Sequence, residues 1–218
     1  MVAVLAILLV ALSGCAEPEK PDEALLLAAA HGDVEGVRSA LSRGARLDQA
    51  VDRNNSTALA KAAYQNRVEA ARVLVAAGAD VNRKDDSEQS PFLIATSEVG
   101  DDPRLLELFL AHGGDVTATD SYNGTGAIRA AHRGYAQIVD RLVVAGVDVN
   151  HVNRLGWTAL LEAVILGDGE EAHREVVRRL LRAGADRSIR DPQGRTALDI
   201  AVAREHDEMV TLLESPAP

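Results

Sequence analysis

The chain has 218 residues, of which 33 are acidic and 23 basic, and its formal net charge is −10. Proteins that bind nucleic acid or anionic lipid surfaces need clustered cations to replace counterions, so this charge makes both poor partners. A single cysteine, Cys15, excludes a disulfide bond within the chain.

The N-terminus carries an apolar run. Residues 2–12 contain no polar side chain and are followed by Ser13, Gly14 and Cys15. The run is too short to cross a membrane as a helix but has the length of the apolar part of a secretory signal peptide. Residues 12–15, Leu-Ser-Gly-Cys, resemble the bacterial lipobox, in which cleavage before the cysteine leaves it lipid-modified. One departure is that no Lys or Arg precedes the run.

The lipobox resemblance implies a signal peptide over residues 1–14 and a lipid on Cys15, with residues 15–22 forming the lipidated cysteine and a tether. Ala16 stands where inner-membrane lipoproteins of Gram-negative bacteria commonly have aspartate. We therefore expect a periplasmic protein anchored to a bacterial membrane, with the outer membrane favoured. Two alternatives stay open: a buried or membrane-associated N-terminal helix with an incidental cysteine, and a cytosolic protein whose apolar leader is an artefact of gene prediction.

Residues 23–214 repeat one pattern with a period of about 33 residues. Each copy opens with Thr-x-Leu or a variant of it, continues with small alanines, and ends a second apolar stretch with glycine. The hydroxyl can cap a short first helix, the alanines allow close packing, and the glycine can end the second helix in the left-handed conformation. The first copy lacks the hydroxyl, as expected for an end unit. The other copies open at Thr57, Ser90, Thr125, Thr158 and Thr196, and the glycines are Gly44, Gly78, Gly113, Gly146 and Gly184.

These copies resemble the ankyrin repeat family, and the resemblance covers residues 23–214. It implies an all-α fold, an ankyrin-repeat solenoid of five to six helix-turn-helix units with finger loops, followed by a disordered tail at residues 215–218. A single unit cannot bury its apolar face, so the units form one cooperative domain. Arrays of this family bind other proteins rather than catalyse reactions, and we expect an unidentified protein partner.

The sequence has no pattern typical of catalysis or cofactor binding. It contains no nucleophile elbow, phosphate-binding loop or zinc-protease helix motif, and its six histidines fall in different repeats. We therefore expect no enzymatic activity, no cofactor, no metal and no small-molecule substrate. The alternative is an envelope enzyme or metal-binding factor built on a solenoid, which would depend on His132 or His173.

Candidate contact residues follow from the family resemblance, because the variable positions of ankyrin repeats are the finger tips and the residues after the paired alanines. Together these positions line the concave face of the array. In the fifth unit they are unusually apolar, and Trp, Tyr and Arg are the residues most enriched at binding hot spots. The predicted contact residues are Tyr64, Tyr122, His132, Arg133, Arg154, Leu155, Trp157, Ile165 and Leu166.

The fifth unit is also irregular in length. Residues 167–184 separate two glycines by about five residues more than residues 134–146 do in the fourth unit. Insertions in solenoids often have a binding role, which favours the fifth unit as the contact surface. In an alternative interpretation the inserted loop folds back over Ile165 and Leu166, and Trp157 packs against a neighbouring finger.

The expected function is that of a lipid-anchored periplasmic ankyrin-repeat protein that mediates protein–protein interaction through its concave face. One alternative is a specific modulator or protector of one envelope enzyme, which differs only in how the partner responds to binding. A second alternative is a cytosolic ankyrin interaction module.

Overall fold

The computed structural model describes residues 20–50 and 52–215. The predicted signal peptide, Cys15 and most of the predicted tether lie outside these residues, as do residues 216–218 of the predicted tail. Within the described residues there are twelve α-helices, no strand, and one isolated bridge between Thr119 and Thr125. None of these twelve helices has both the length and the apolar character needed to cross a membrane.

The helices form six helix-turn-helix units, which confirms the predicted all-α ankyrin-type solenoid and sets the number of described units at six. The first helix begins at Pro21, two residues before Glu23, so the end of the predicted tether is helical. In chain order the pairs are α1 (Pro21–His31) with α2 (Val34–Ser42), α3 (Ala58–Tyr64) with α4 (Val68–Ala76), α5 (Pro91–Ser97) with α6 (Arg104–Leu110), α7 (Gly126–Arg133) with α8 (Ala136–Val144), α9 (Ala159–Ile165) with α10 (Glu171–Arg182), and α11 (Ala197–Ala203) with α12 (Asp207–Glu214).

The units stack in chain order. The first helix of each unit packs against the first helix of the next, and the second helices pack in the same way. The alanine pairs that were predicted to allow close packing, such as Ala62 with Ala63 and Ala130 with Ala131, are fully buried. Larger residues of the second helices, such as Ile138, fill the space between units. Each unit therefore completes its core with its neighbours.

Hydroxyl side chains cap four of the first helices. Thr57, Ser90, Thr158 and Thr196 each accept a hydrogen bond from the backbone N–H three residues later. Thr125 was predicted to do the same, but its hydroxyl is buried without a hydrogen-bond partner among the described residues. The prediction of a side-chain cap is therefore wrong for α7.

Left-handed glycines follow the second helices of units one to five, as predicted. At Gly146 an added Cβ would meet no atom within 4 Å, so the backbone conformation and not a lack of space requires glycine. The glycines with this role, at φ between +83° and +98°, are Gly44, Gly78, Gly113, Gly146 and Gly184.

A repeated side-chain turn fixes the finger loops of units two to six. In each finger one Asp or Asn oxygen accepts hydrogen bonds from the backbone N–H groups two and four residues later. This local bonding satisfies two backbone N–H groups of each finger. We refer to these residues as the finger braces, and they are Asp52, Asp85, Asp120, Asn153 and Asp191.

One loop reaches into the next unit. The connection between α5 and α6, residues 98–103, is longer than the connection between α7 and α8, residues 134–135, and this was not predicted. Its Asp101 carboxylate accepts hydrogen bonds from the backbone N–H groups of Gln137 and Ile138, at 3.1 Å each. Unit three therefore caps the N-terminus of the second helix of unit four.

Substitution of Asp101 by alanine is expected to lower the free energy of unfolding by about 1–2 kcal/mol, because two N–H groups at the start of α8 lose their acceptor. Urea denaturation followed by circular dichroism measures this loss. Asp101→Asn is the matched control and should lose less, since its amide oxygen still accepts a hydrogen bond. Equal stabilities of Asp101→Ala and the natural chain would show that water satisfies these N–H groups.

Candidate functional site

A pocket of about 290 Å³ lies between the finger loops and the first helices of units three to five. We refer to it as the central pocket. The fingers contribute Asp120, Tyr122, Gly124, Asn153 and Leu155, and the helical side contributes Ser97, Glu98, Ile128, Arg129, His132, Arg133, Glu162 and Leu166.

The central pocket brings together five of the nine predicted contact residues. Tyr122, Leu155 and Leu166 are exposed apolar residues, and His132 and Arg133 have half-exposed side chains. Leu166 is 44% exposed, so the inserted loop of unit five does not cover it.

The other four predicted residues do not line this pocket. Tyr64, Trp157 and Ile165 are partly buried and pack against the core. The indole Nε1 of Trp157 is buried without a hydrogen-bond partner in the described part of the chain. Arg154 instead links two fingers, because its backbone N–H and its guanidinium donate to carbonyls of the preceding finger at 2.8 and 2.7 Å.

Arg129 is the centre of the charge network at one side of the pocket. Its guanidinium lies 3.0 Å from Asp120 Oδ2, 2.8 Å from Gln89 Oε1 and 2.7 Å from Ser97 Oγ. A second carboxylate, that of Glu98, lies 3.5 Å away. Because the Arg129 side chain is only 12% exposed, these charge-assisted bonds are partly shielded from water. Arg129 therefore holds units three and four together through its two Nη atoms, whereas its Nε is buried without a hydrogen-bond partner among the described residues.

Glu162 also lines the pocket, and its hydrogen-bonding capacity is less well satisfied than that of Asp120. Its side chain is 7% exposed, and its Oε1 lies 3.1 Å from Nδ1 of His132. Its Oε2 is buried and has no hydrogen-bond partner within residues 20–50 and 52–215. Burial raises the pKa of Glu162, and the hydrogen bond with His132 acts in the opposite direction. An unsatisfied buried carboxylate oxygen costs free energy, so this group calls for a functional explanation.

A charged residue at the fourth position of a first helix is the sequence signal that was missed. In unit two, Lys61 follows the finger brace Asp52 by nine residues, and its Nζ lies 2.5 Å from that carboxylate. Unit four repeats the arrangement with Arg129 and Asp120, whose atoms lie 3.0 Å apart. The finger brace and the residue nine positions later thus form a salt bridge in both units.

Unit five departs from this pairing. Its finger brace is Asn153, and the residue nine positions later is Glu162. In units three and six the same helix position is occupied by Ile94 and Ile200, both buried. Among units two to six, only unit five therefore has a carboxylate at this position, and its own finger supplies no cation for it.

The histidines of this region have structural contacts. His173 Nδ1 lies 3.1 Å from Asp168 Oδ1, and its Nε2 lies 3.2 Å from the backbone carbonyl of His132, which joins units four and five. Within the described residues there is no group of three or more His, Cys, Asp or Glu side chains arranged to hold a metal ion.

Comparison with known sequences gives a family model and a bacterial relative that each cover most of the chain. A family model for ankyrin repeats matches residues 3–85, 92–191 and 127–217. The ankyrin repeat protein YahD of Escherichia coli (strain K12) is 34% identical over 189 residues, which span 86% of this chain and 92% of YahD.

Solved structures agree with this result. An ankyrin repeat domain from Acinetobacter baumannii AYE has a TM-score of 0.79 and 43% identity, over 87% of this chain and 95% of that domain. The structure of the endopeptidase Bd0816 from Bdellovibrio bacteriovorus in complex with immunity protein Bd3460 matches with a TM-score of 0.75, over 88% of this chain and 96% of the matched one. At 22% identity this second match shows the fold alone. The chain therefore belongs to the ankyrin repeat family.

Proposed function

We propose that this chain binds a partner protein through the central pocket and the exposed apolar residues at its edge. Ankyrin repeats are protein-interaction modules, and we assign no reaction to the chain. The observation that supports this site best is the clustering of Tyr122, Leu155 and Leu166, all exposed, around one pocket. Exposed apolar groups gathered at a concave surface typically mark an interaction site.

Substitution of Leu166 by aspartate is expected to weaken partner binding by roughly tenfold or more, because a charge would have to be desolvated in the interface. The measurement is cross-linking in intact cells with a photoreactive amino acid in place of Leu155, followed by mass spectrometry. Val202→Asp is the matched control, since Val202 is 56% exposed on the first helix of unit six and lies outside the pocket. Equal yields of the same cross-linked protein with both variants would show that Leu166 is not part of the contact, and a natural chain that captures no protein from position 155 would place the binding surface elsewhere.

We further propose that the mature protein is held at a bacterial membrane by lipid on Cys15, on the periplasmic side and at the outer membrane. Support comes from the lipobox resemblance of residues 12–15 and from Ala16 after the cysteine. Each buried methylene of an acyl chain contributes about 0.8 kcal/mol, so the two or three chains of such a lipoprotein give stable anchoring. The polar residues 16–20 would then place the repeats close to the membrane surface.

Labelling of cells with a fatty-acid analogue tests the anchor. The natural chain should carry the label and fractionate with membranes, and Cys15→Ser should lose both properties because the chain has no other cysteine. Ser13→Ala, which retains the cysteine, should keep the label. An unlabelled natural chain in the soluble fraction would favour the alternative, a cytosolic ankyrin interaction module.

A second candidate function is modulation or protection of one envelope enzyme. The Bdellovibrio structure with the same fold contains an endopeptidase together with an immunity protein. This supports the candidate as an analogy between folds. The activity of the cross-linked partner, assayed with and without the purified chain, separates the two functions: a changed rate indicates a modulator, and an unchanged rate indicates a scaffold.

A further inference from the structure

We propose that the central pocket takes a lysine or arginine side chain of the partner, and that the cation of this side chain pairs with the carboxylate of Glu162. The inference rests on the proposed function, because it names the chemistry of the partner that the pocket would bind.

The ion pairs between finger and first helix in two other units support this assignment. In units two and four, the finger carboxylate is neutralised by a cation from the first helix of the same unit, at 2.5 and 3.0 Å. In unit five the carboxylate is on the helix, at Glu162, and the finger residue is the uncharged Asn153. The cation that completes the pair in the other two units is thus missing from unit five.

The basic residues near Glu162 do not supply the missing cation. Arg129 is bonded to Asp120, and Nη2 of Arg133 lies 3.6 Å from Glu98 Oε1. Among the described residues, His132 is the only basic side chain within 4.0 Å of the Glu162 carboxylate. Its imidazole is half exposed and lies at the edge of the pocket, so it can rotate into solvent when a stronger cation binds.

The walls of the pocket suit the remainder of such a side chain. Ile128, Leu155 and Leu166 line it together with Glu162. Lysine and arginine carry an aliphatic stem that packs on apolar surface while the charged end reaches a carboxylate. The net charge of −10 would also favour the approach of a basic partner segment.

Titration with short peptides tests the inference. The probes are acetyl-Leu-Ala-Lys-Ala-Leu-amide and the same peptide with norleucine in place of lysine, which keeps the stem and removes the charge. The methyl signals of Leu155 and Leu166 in nuclear magnetic resonance spectra of the full chain report binding. The lysine peptide is expected to bind at least about tenfold more tightly than the norleucine peptide.

Two substitutions connect this preference to Glu162. Glu162→Gln, of nearly the same shape, should abolish the preference for lysine, and His132→Ala should strengthen lysine-peptide binding because it removes the competing partner. Glu107→Gln is the matched control, since Glu107 is half exposed on α6 and pairs with Arg141 outside the pocket. Circular dichroism verifies that each variant is folded.

Either of two results overturns the inference: equal binding of the lysine and norleucine peptides, or a lysine preference that survives Glu162→Gln. If Glu162→Gln failed to fold, weaker lysine-peptide binding by His132→Ala would overturn it instead. Cross-linking in cells distinguishes failure of the lysine or arginine assignment from failure of the proposed function. A partner that is lost with Leu166→Asp but retained with Glu162→Gln would leave the binding site in place and refute the lysine or arginine assignment.

Discussion

Substitution of Phe92 by alanine is expected to lower the free energy of unfolding by about 3–5 kcal/mol. Phe92 and Phe109 are the two phenylalanines of the chain, and both are fully buried in unit three. The Phe92 ring fills the space beside Gly114, where an added Cβ would lie 2.6 Å from Phe92 Cδ2. Its removal would therefore open a cavity in the middle of the array.

The position of this cavity determines how the protein unfolds. Units one and two contact units four to six through unit three, and the stability of a solenoid depends on such contacts between neighbours. In Phe92→Ala we expect the single unfolding transition to separate into two. Circular dichroism reports all helices, whereas the fluorescence of Trp157, the only tryptophan, reports unit five.

The expected result is that the two urea transitions, coincident in the natural chain, no longer coincide in Phe92→Ala. Phe92→Leu is the control, because it keeps most of the apolar volume and should retain coincident transitions. Coincident curves in Phe92→Ala, with a loss below about 1 kcal/mol, would show that the array closes the cavity by repacking.

Substitution of Glu162 by isoleucine is expected to raise the free energy of unfolding by about 1–3 kcal/mol. The buried Oε2 of Glu162 has no hydrogen-bond partner in the described part of the chain, and an apolar side chain removes that cost. Ile94 and Ile200 occupy the same helix position in units three and six, so the shape is compatible with the fold.

Urea denaturation at neutral pH measures this gain. Glu162→Gln should change stability less, because its amide keeps polar atoms that need partners. A loss of stability in Glu162→Ile would mean that the carboxylate is satisfied in the folded protein, for example by ordered water. A gain would mean that the natural chain keeps a destabilising residue in its pocket, which is typical of binding sites.

The fold could be predicted from the sequence because the same local features recur in each unit. A capping hydroxyl, small alanines and a left-handed glycine each act within a few residues, so spacing along the chain is enough to recognise them. The cap at Thr125 was predicted wrongly, although its sequence context resembles that of the other units. The Asp101 cap was missed because it joins residues 36 and 37 positions apart, and no local spacing indicates such a contact.

The candidate site was predictable only in part for a related reason. Tyr122, Leu155 and Leu166, which the family pattern indicated, are exposed and line one pocket. Tryptophan is a residue type enriched at binding hot spots. Trp157, however, stands next to the helix cap Thr158 and packs partly into the core. The role of Glu162 depends on which side chains of neighbouring units surround it, and this becomes visible only once the units are stacked.

The loop that carries Asp101 also limits how this array can change length. Ankyrin arrays consist of similar units, and in principle a unit can be duplicated or deleted without disturbing the rest. Deletion of unit four would remove the backbone N–H groups of Gln137 and Ile138 to which Asp101 is bonded. Units three and four are therefore expected to be inherited together.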